Sequence, residues 1–203
     1  TAKAGQKCTA IRRIMVPNAL VEPVIAAISE RLGKIAIGDP RLESTGMGAL
    51  VSASQKRDVL EKAATIGAEA ERVFGNPDDF AVEGADRDKG AFLPPMLFHC
   101  ADPDSAVRVH DTEAFGPVST IMPYRDLPHA VELLNKGKGS LVASVITNDG
   151  DVAREITLGA AAFHGRLYFN NRASMKEATG HGAPLPHMVH GGPGRAGGGE
   201  ELG

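Results

Sequence analysis

Tryptophan is absent from this chain, and aromatic residues make up only 4% of its 203 positions. None occurs after Phe169. Cysteine is almost as scarce. Cys8 and Cys100 are the whole complement, which rules out both a disulfide framework and a four-thiolate zinc site and points to a reducing, cytoplasmic setting. No charge of one sign dominates either: 22 Lys plus Arg against 25 Asp plus Glu leave a formal charge of −3. That balance removes any global electrostatic case for nucleic acid or for an anionic membrane surface. No apolar run approaches the roughly 18–20 residues of a membrane span. Residue 1 is Thr, and no charged-then-apolar signal segment follows it.

What the chain does have is an apolar content of 42%, enough for a sizeable core. Ile11–Val16 reads as a strand stopped by Pro17. Asn18 is the expected cap of a helix over 19–32, whose stripe is Leu20, Val24, Ile28 and Leu32. A second helix is expected from Ala53 to Ile66, capped by Ser52, with Val59, Ala63 and Ile66 on one face and Gly67 at its end. Glu71–Phe74 fits a short strand and 76–89 a surface loop. Pro94-Pro95 argues that Phe92–Phe98 is an extended edge segment and not a central strand. Further on, strands at Val118–Met122, Leu141–Ile146 and Arg166–Phe169 alternate with helices at Leu127–Leu134 and Asp151–Ala161. Strands separated by helices of about 10 residues predict an α/β fold with a largely parallel sheet. The glycine-rich stretch from Gly180 onward reads as a flexible tail, or as a partner to something outside the chain.

Few residues carry chemistry. A lone cysteine is most often a small buried hydrophobe, and Cys100, at the end of an apolar strand, fits that role. Cys8 differs. Its neighbours are polar, Lys7 is a cation beside it that favours thiolate, and Gly5 allows close backbone approach to a ligand. In Glu113-Ala114-Phe115-Gly116-Pro117-Val118, a carboxylate that can accept from ribose hydroxyls stands near a ring that can cover a planar heterocycle; a structural turn explains the same residues. His181, His187 and His190 lack an i, i+4 helical pair with a carboxylate, so no metal site is expected. The run His190–Gly199 lacks the Gly-Lys-Ser/Thr ending of a phosphate-binding loop. Arg195 fits an acidic substrate or a neighbouring carboxylate equally well.

In order along the chain, Gly5-Gln6-x-Cys8, Gly38-Asp39-Pro40, Met47-Gly48-Ala49-Leu50, Glu113-x-Phe115-Gly116-Pro117-Val118, Gly165-Arg166-Leu167-Tyr168-Phe169-Asn170 and Gly191-Gly192…Gly197…Glu200-Glu201-Leu202-Gly203 resemble the catalytic domain of the aldehyde dehydrogenase superfamily. The resemblance covers nearly all of residues 1–203. Two positions depart from the usual pattern: Lys3 stands where the family has Asn, and Pro193-Gly194-Arg195 where it has a Lys-x-Ser element. Residues 176–195 are similar to the aldehyde dehydrogenase part of bifunctional phenylacetate-degradation enzymes, and to the semialdehyde dehydrogenase of the benzoyl-CoA epoxidation pathway.

The resemblance implies oxidation of a small-molecule aldehyde, CoA-linked in that subgroup, with NADP as cofactor and NAD as the alternative. Cys8 would be the nucleophile, Glu113 the ribose ligand and Phe115 a contact on the nicotinamide side. A homo-oligomer is implied for the full-length protein. The family's dinucleotide-binding domain, oxyanion Asn and general-base Glu would all precede Thr1, so residues 1–203 alone are expected to show no turnover. Two rival readings stand beside this one: a CoA-acylating dehydrogenase, and a non-catalytic interaction module.

Overall fold

The computed structural model describes residues 1–183, 185, 188 and 190–198, and the chain divides into two units, Thr1–Pro123 and Tyr124–Gly203. In the first, β1 (Arg13–Pro17), β2 (Glu71–Phe74), β3 (Met96–His99) and β4 (Val118–Tyr124) form a sheet in the order β1-β4-β3-β2. β3 and β4 run parallel, and β2 closes one edge antiparallel to β3. Side chains alternate across the pleat. Met96 and Phe98 therefore join Val118 and Met122 in one apolar cluster with Val59, Ala63 and Ile66 of α2 (Ala53–Gly67). Leu97 and Ile121 point the other way, into a cluster with Val21, Val24, Ile28 and Leu32 of α1 (Val21–Gly33). Val59, Leu97 and Ile121 are 0% exposed, and each such burial contributes roughly 2 kcal/mol.

This arrangement corrects two expectations. β3 is an interior strand, not an edge. Pro94 and Pro95 lie ahead of its first paired residue, so no ladder N–H is lost, and the Met96 N–H donates to the Pro117 carbonyl at 2.7 Å. An uninterrupted apolar run is what a strand covered on both faces requires. Asn18 does not cap α1 either: it begins a 3-10 turn (Asn18–Leu20) with no side-chain cap bond. Leu20 is 50% exposed, and Val21 takes its place in the core. The second helix starts as its sequence predicts, with Ser52 Oγ accepting from the Gln55 N–H at 3.1 Å. A short helix, α3 (Arg108–Asp111), had no counterpart in the sequence pattern.

The second unit holds α4 (Leu127–Asn135), β5 (Ser140–Ile146), α5 (Gly150–Ala160) and β6 (His164–Asn170). Asp126 caps α4 by accepting from the His129 N–H at 2.9 Å, and Asp149 caps α5 by accepting from Asp151 at 2.8 Å. β5 and β6 pair in parallel from Ser140↔His164 to Ile146↔Asn170. The described part of the glycine-rich stretch is not a loose tail. Gly192 and Gly198 bond each other through both backbone groups, at 3.0 and 2.7 Å, and the Arg195 N–H donates to the Lys138 carbonyl just before β5. Glu200 to Gly203 lie outside the described residues. The α/β class and the mostly parallel pairing agree with the sequence reading.

Candidate active site

Cys8 follows a 3-10 turn, Ala2–Gly5, with an uncommon backbone. Lys3 and Ala4 both have φ of 51°, and Gly5 has φ of 72°. Non-glycine residues in this left-handed region cost about 1 kcal/mol each, so the surrounding contacts must enforce the shape. Ala4 is 3% exposed and belongs to the core cluster of the first unit. Gln6 Oε1 accepts from the Val51 N–H at 2.9 Å. A turn closed by Ala10 N–H to the Lys7 carbonyl, at 2.9 Å, then carries Cys8. Cys8 is exposed at that turn, while Thr9 beside it is buried.

The Glu113–Val118 segment alternates in the same fashion: Glu113 and Phe115 are exposed, Ala114 and Gly116 buried. Phe115 has φ of 44°. Its carbonyl accepts from Gln55 Nε2 at 3.3 Å, in the first turn of α2. Arg12 Nη1 reaches the Thr112 carbonyl at 3.3 Å and so holds the residue before Glu113. Gly116 fits against Val59, where an added Cβ would sit 2.6 Å from Cγ2.

These two segments meet backbone to backbone. A Cβ on Gly5 would lie 2.2 Å from the Gly116 carbonyl oxygen and 2.7 Å from the Pro117 nitrogen. Gly5 therefore does not open space for a ligand, as its sequence position suggests; it admits the Gly116 backbone. The contact lies three residues from Cys8, three from Glu113 and one from Phe115. All three sequence-predicted site residues are thus built around one junction, with both polar side chains and the ring on exposed positions.

The remaining family-like segments of the first unit connect to the same junction. The Gly38 N–H donates to the Met47 carbonyl at 3.1 Å, and Leu50 and Val51 donate onward to Ala91 and Gln6. Arg41 hydrogen-bonds Asp39 through two nitrogens and holds its carboxyl down at about 2. This pair lies on the surface and keeps the Gly38-Asp39-Pro40 turn in shape.

The sequence reading missed the supports: Gln55, Arg12 and His110. His110 is 3% exposed. Its Nε2 faces the Pro103 carbonyl at 2.9 Å and its Nδ1 faces Arg13 Nη1 at 3.1 Å. A carbonyl only accepts and a guanidinium only donates, so the proton sits on Nε2 and Nδ1 accepts. The available signal was Arg12-Arg13, two cations inside an otherwise apolar strand pattern. Elsewhere, His181 Nδ1 lies 2.6 Å from Ser144 Oγ, and His187 is outside the described residues. No three His, Cys, Asp or Glu side chains converge among the described residues.

Exposure alone separates the two thiols. Cys100 is 0% exposed in the core and Cys8 is exposed. With limiting iodoacetamide, peptide mass mapping is expected to find Cys8 modified well before Cys100. Preferential labelling of Cys100 would contradict the placement of both.

The family model described as Aldehyde dehydrogenase family matches residues 1–202. Protein MaoC of Klebsiella aerogenes is 52% identical over 158 residues, covering 77% of this chain and 45% of its own length. The 3,4-dehydroadipyl-CoA semialdehyde dehydrogenase of Aromatoleum evansii is 42% identical over 193 residues, 95% of this chain and 38% of its own. Among solved structures, aldehyde dehydrogenase C of Pseudomonas syringae, a cysteine-to-alanine variant with NAD+ and octanal, has a TM-score of 0.79 at 28% identity, over 96% of this chain and 37% of that one. Betaine aldehyde dehydrogenase of Staphylococcus aureus shares the fold at TM-score 0.80 and 23% identity, with 96% of this chain and 37% of that one covered. The chain spans less than half the length of these curated relatives.

Proposed function

Because this chain belongs to the aldehyde dehydrogenase family, we propose that it carries the nucleophile of an NAD(P)-dependent enzyme that oxidises an aldehyde to a carboxylic acid. The observation that supports this most is the Gly5–Gly116 junction, which builds the Cys8 turn and the Glu113–Phe115 segment onto each other. The substrate we assign is a CoA-linked semialdehyde from aromatic-acid degradation. That choice rests on the resemblance of residues 176–195 and on the relative whose name carries that substrate.

Cys8 acts as thiolate. Its sulfur attacks the aldehyde carbon, a C–S bond forms, and the carbonyl π pair moves onto oxygen to give a thiohemiacetal oxyanion. An oxyanion of this kind needs donors already in place, and the Cys8 backbone N–H is the donor this chain supplies. Exposed Glu113 and Phe115 suit a dinucleotide, the carboxylate accepting from ribose hydroxyls and the ring covering a planar heterocycle. When bound, the nicotinamide supplies a hydride acceptor. Loss of the C–H hydride to that acceptor, as the oxyanion pair re-forms C=O, would leave a thioester on Cys8; water then adds to its carbonyl and the C–S bond breaks, which releases the acid and returns the thiolate. NADP is the cofactor assigned by that resemblance. The scarcity of cysteine supports a cytoplasmic setting, and the family resemblance supports a homo-oligomeric assembly. No helix among the described residues is long and apolar enough to cross a membrane.

Rapid acid quenching tests this reading. The intact protein, mixed with NADP and a CoA-linked semialdehyde, is expected to yield an acyl adduct on the Cys8 peptide and free acid on longer incubation. An adduct on Cys100, or none on either, would overturn the assignment of the nucleophile. A product in which a second CoA has taken the acyl group would overturn the hydrolytic step.

A further inference from the structure

Arg12 and Arg13 lie where the Cys8 turn runs into β1, and both side chains reach α3. Arg12 Nη1 donates to the His110 carbonyl at 3.4 Å and to the Thr112 carbonyl at 3.3 Å. Arg13 Nη1 donates to His110 Nδ1 at 3.1 Å, and Nε2 of the same ring donates to the Pro103 carbonyl at 2.9 Å. The backbone that carries these two cations is itself fixed. The Thr120 N–H donates to the Arg12 carbonyl at 2.8 Å, and Ser119 Oγ donates to the Ile11 carbonyl at 2.6 Å.

α3 depends on such support. Four residues are too few to hold a helix unaided, and the last carbonyls of any helix need donors from outside it. Its start is held in the same way: Glu69 Oε2 accepts from the Val107 and Val109 N–H groups at 3.0 and 3.2 Å. Val109 is buried in the core. Glu113 follows the Thr112 carbonyl directly, on an exposed position, with Ala114 buried behind it. The Gly5–Gly116 junction therefore fixes the backbone on the far side of Glu113, and Arg12 fixes it on the near side. A binding side chain keeps one direction only where its supports are held this way.

We propose that Arg12 is a positioning residue for the dinucleotide: by holding the His110 and Thr112 carbonyls it aims the Glu113 carboxylate at the ribose hydroxyls. The inference rests on the reading of Glu113 as the ribose ligand. It requires Arg12 to act through Glu113, which a residue that merely ends α3 would not do.

Equilibrium binding to the intact protein tests it without turnover. Titration calorimetry is run with NADP and with NAD, and the tighter of the two is followed through the variants. Glu113→Gln is expected to weaken binding about 10-fold or more, the loss of charge-assisted hydrogen bonds. Arg12→Met is expected to weaken it about 5-fold alone, yet less than about 2-fold when added to Glu113→Gln, because coupled residues are not additive. Arg12→Lys, whose ammonium lacks the guanidinium fork, gives an intermediate loss, and it carries the same double-variant comparison should Arg12→Met not fold. In cofactor-free hydrogen exchange, amides of 112–116 open faster in the Arg12 variants while those of β3 and β4 keep their protection. Wild-type affinity in Arg12→Met, effects that multiply in the double variant, or unchanged exchange at 112–116 would overturn the positioning role and leave Glu113 as the ribose ligand. No loss of affinity in Glu113→Gln, or no binding of either dinucleotide by the wild type, would remove the ribose reading and the positioning role together.

Discussion

Cys8→Ala in the intact protein is expected to lower aldehyde oxidation at least about 1,000-fold, or about 4 kcal/mol of transition-state stabilisation. Cys8 is the exposed thiol at the Gly5–Gly116 junction, and a hydride-losing thiohemiacetal that passes to a thioester requires a thiol; positioning without that nucleophile does not replace it. Because Cys8 is exposed, the same change should move stability by no more than about 0.5 kcal/mol. The variant should therefore melt with the wild type while failing to turn over. Cys100→Ala provides the opposite pattern. Its side chain is 0% exposed, so truncation leaves a small cavity costing about 1 kcal/mol, and turnover of the folded protein persists. Steady-state kinetics paired with melting curves for the two variants resolve both effects. Wild-type turnover in Cys8→Ala would convert the chain into an interaction module and remove the enzyme reading altogether.

The difference in exposure between these cysteines was legible in the residues. Polar neighbours and a cation marked one, an apolar strand end the other. The helices with side-chain caps were equally plain, because Ser52 starts α2 by a local bond that needs no tertiary contact. Elements with non-local causes were less visible. Pro94 and Pro95 argued against an interior β3, yet both stand outside the paired stretch, and burial on two faces decided its place. The four residues of α3 are too few to show a helical period. At the site, Gly5 signalled a close approach, but its partner is another backbone far along the sequence. No local pattern discloses such a contact, nor that Gln55 and Arg12 hold the Phe115 and Thr112 carbonyls.

Gly5→Ala isolates that long-range contact. The new methyl would lie 2.2 Å from the Gly116 oxygen, 2.3 Å from its carbon and 2.7 Å from the Pro117 nitrogen. All three are backbone atoms, so no rotamer change relieves the overlap and the segments must part. A φ of 72° adds about 1 kcal/mol for any residue with a Cβ, and overpacking typically adds about 1–3 kcal/mol. Opening the local docking of residues 1–10 disturbs less than unfolding the sheet, so the protein is expected to yield there first. Melting temperature then falls only modestly, whereas kcat/KM falls about 100-fold or more, the scale of a 1 Å displacement of a reacting group. Iodoacetamide should still reach Cys8, because the thiol is intact and merely misplaced. Gln6→Ala removes one hydrogen bond to Val51 from the same turn and should lose about 1 kcal/mol with a correspondingly smaller kinetic effect. Measured together, the two variants distinguish loss of position from loss of fold. If Gly5→Ala retained wild-type kcat/KM, the junction would hold the chain together without placing its nucleophile.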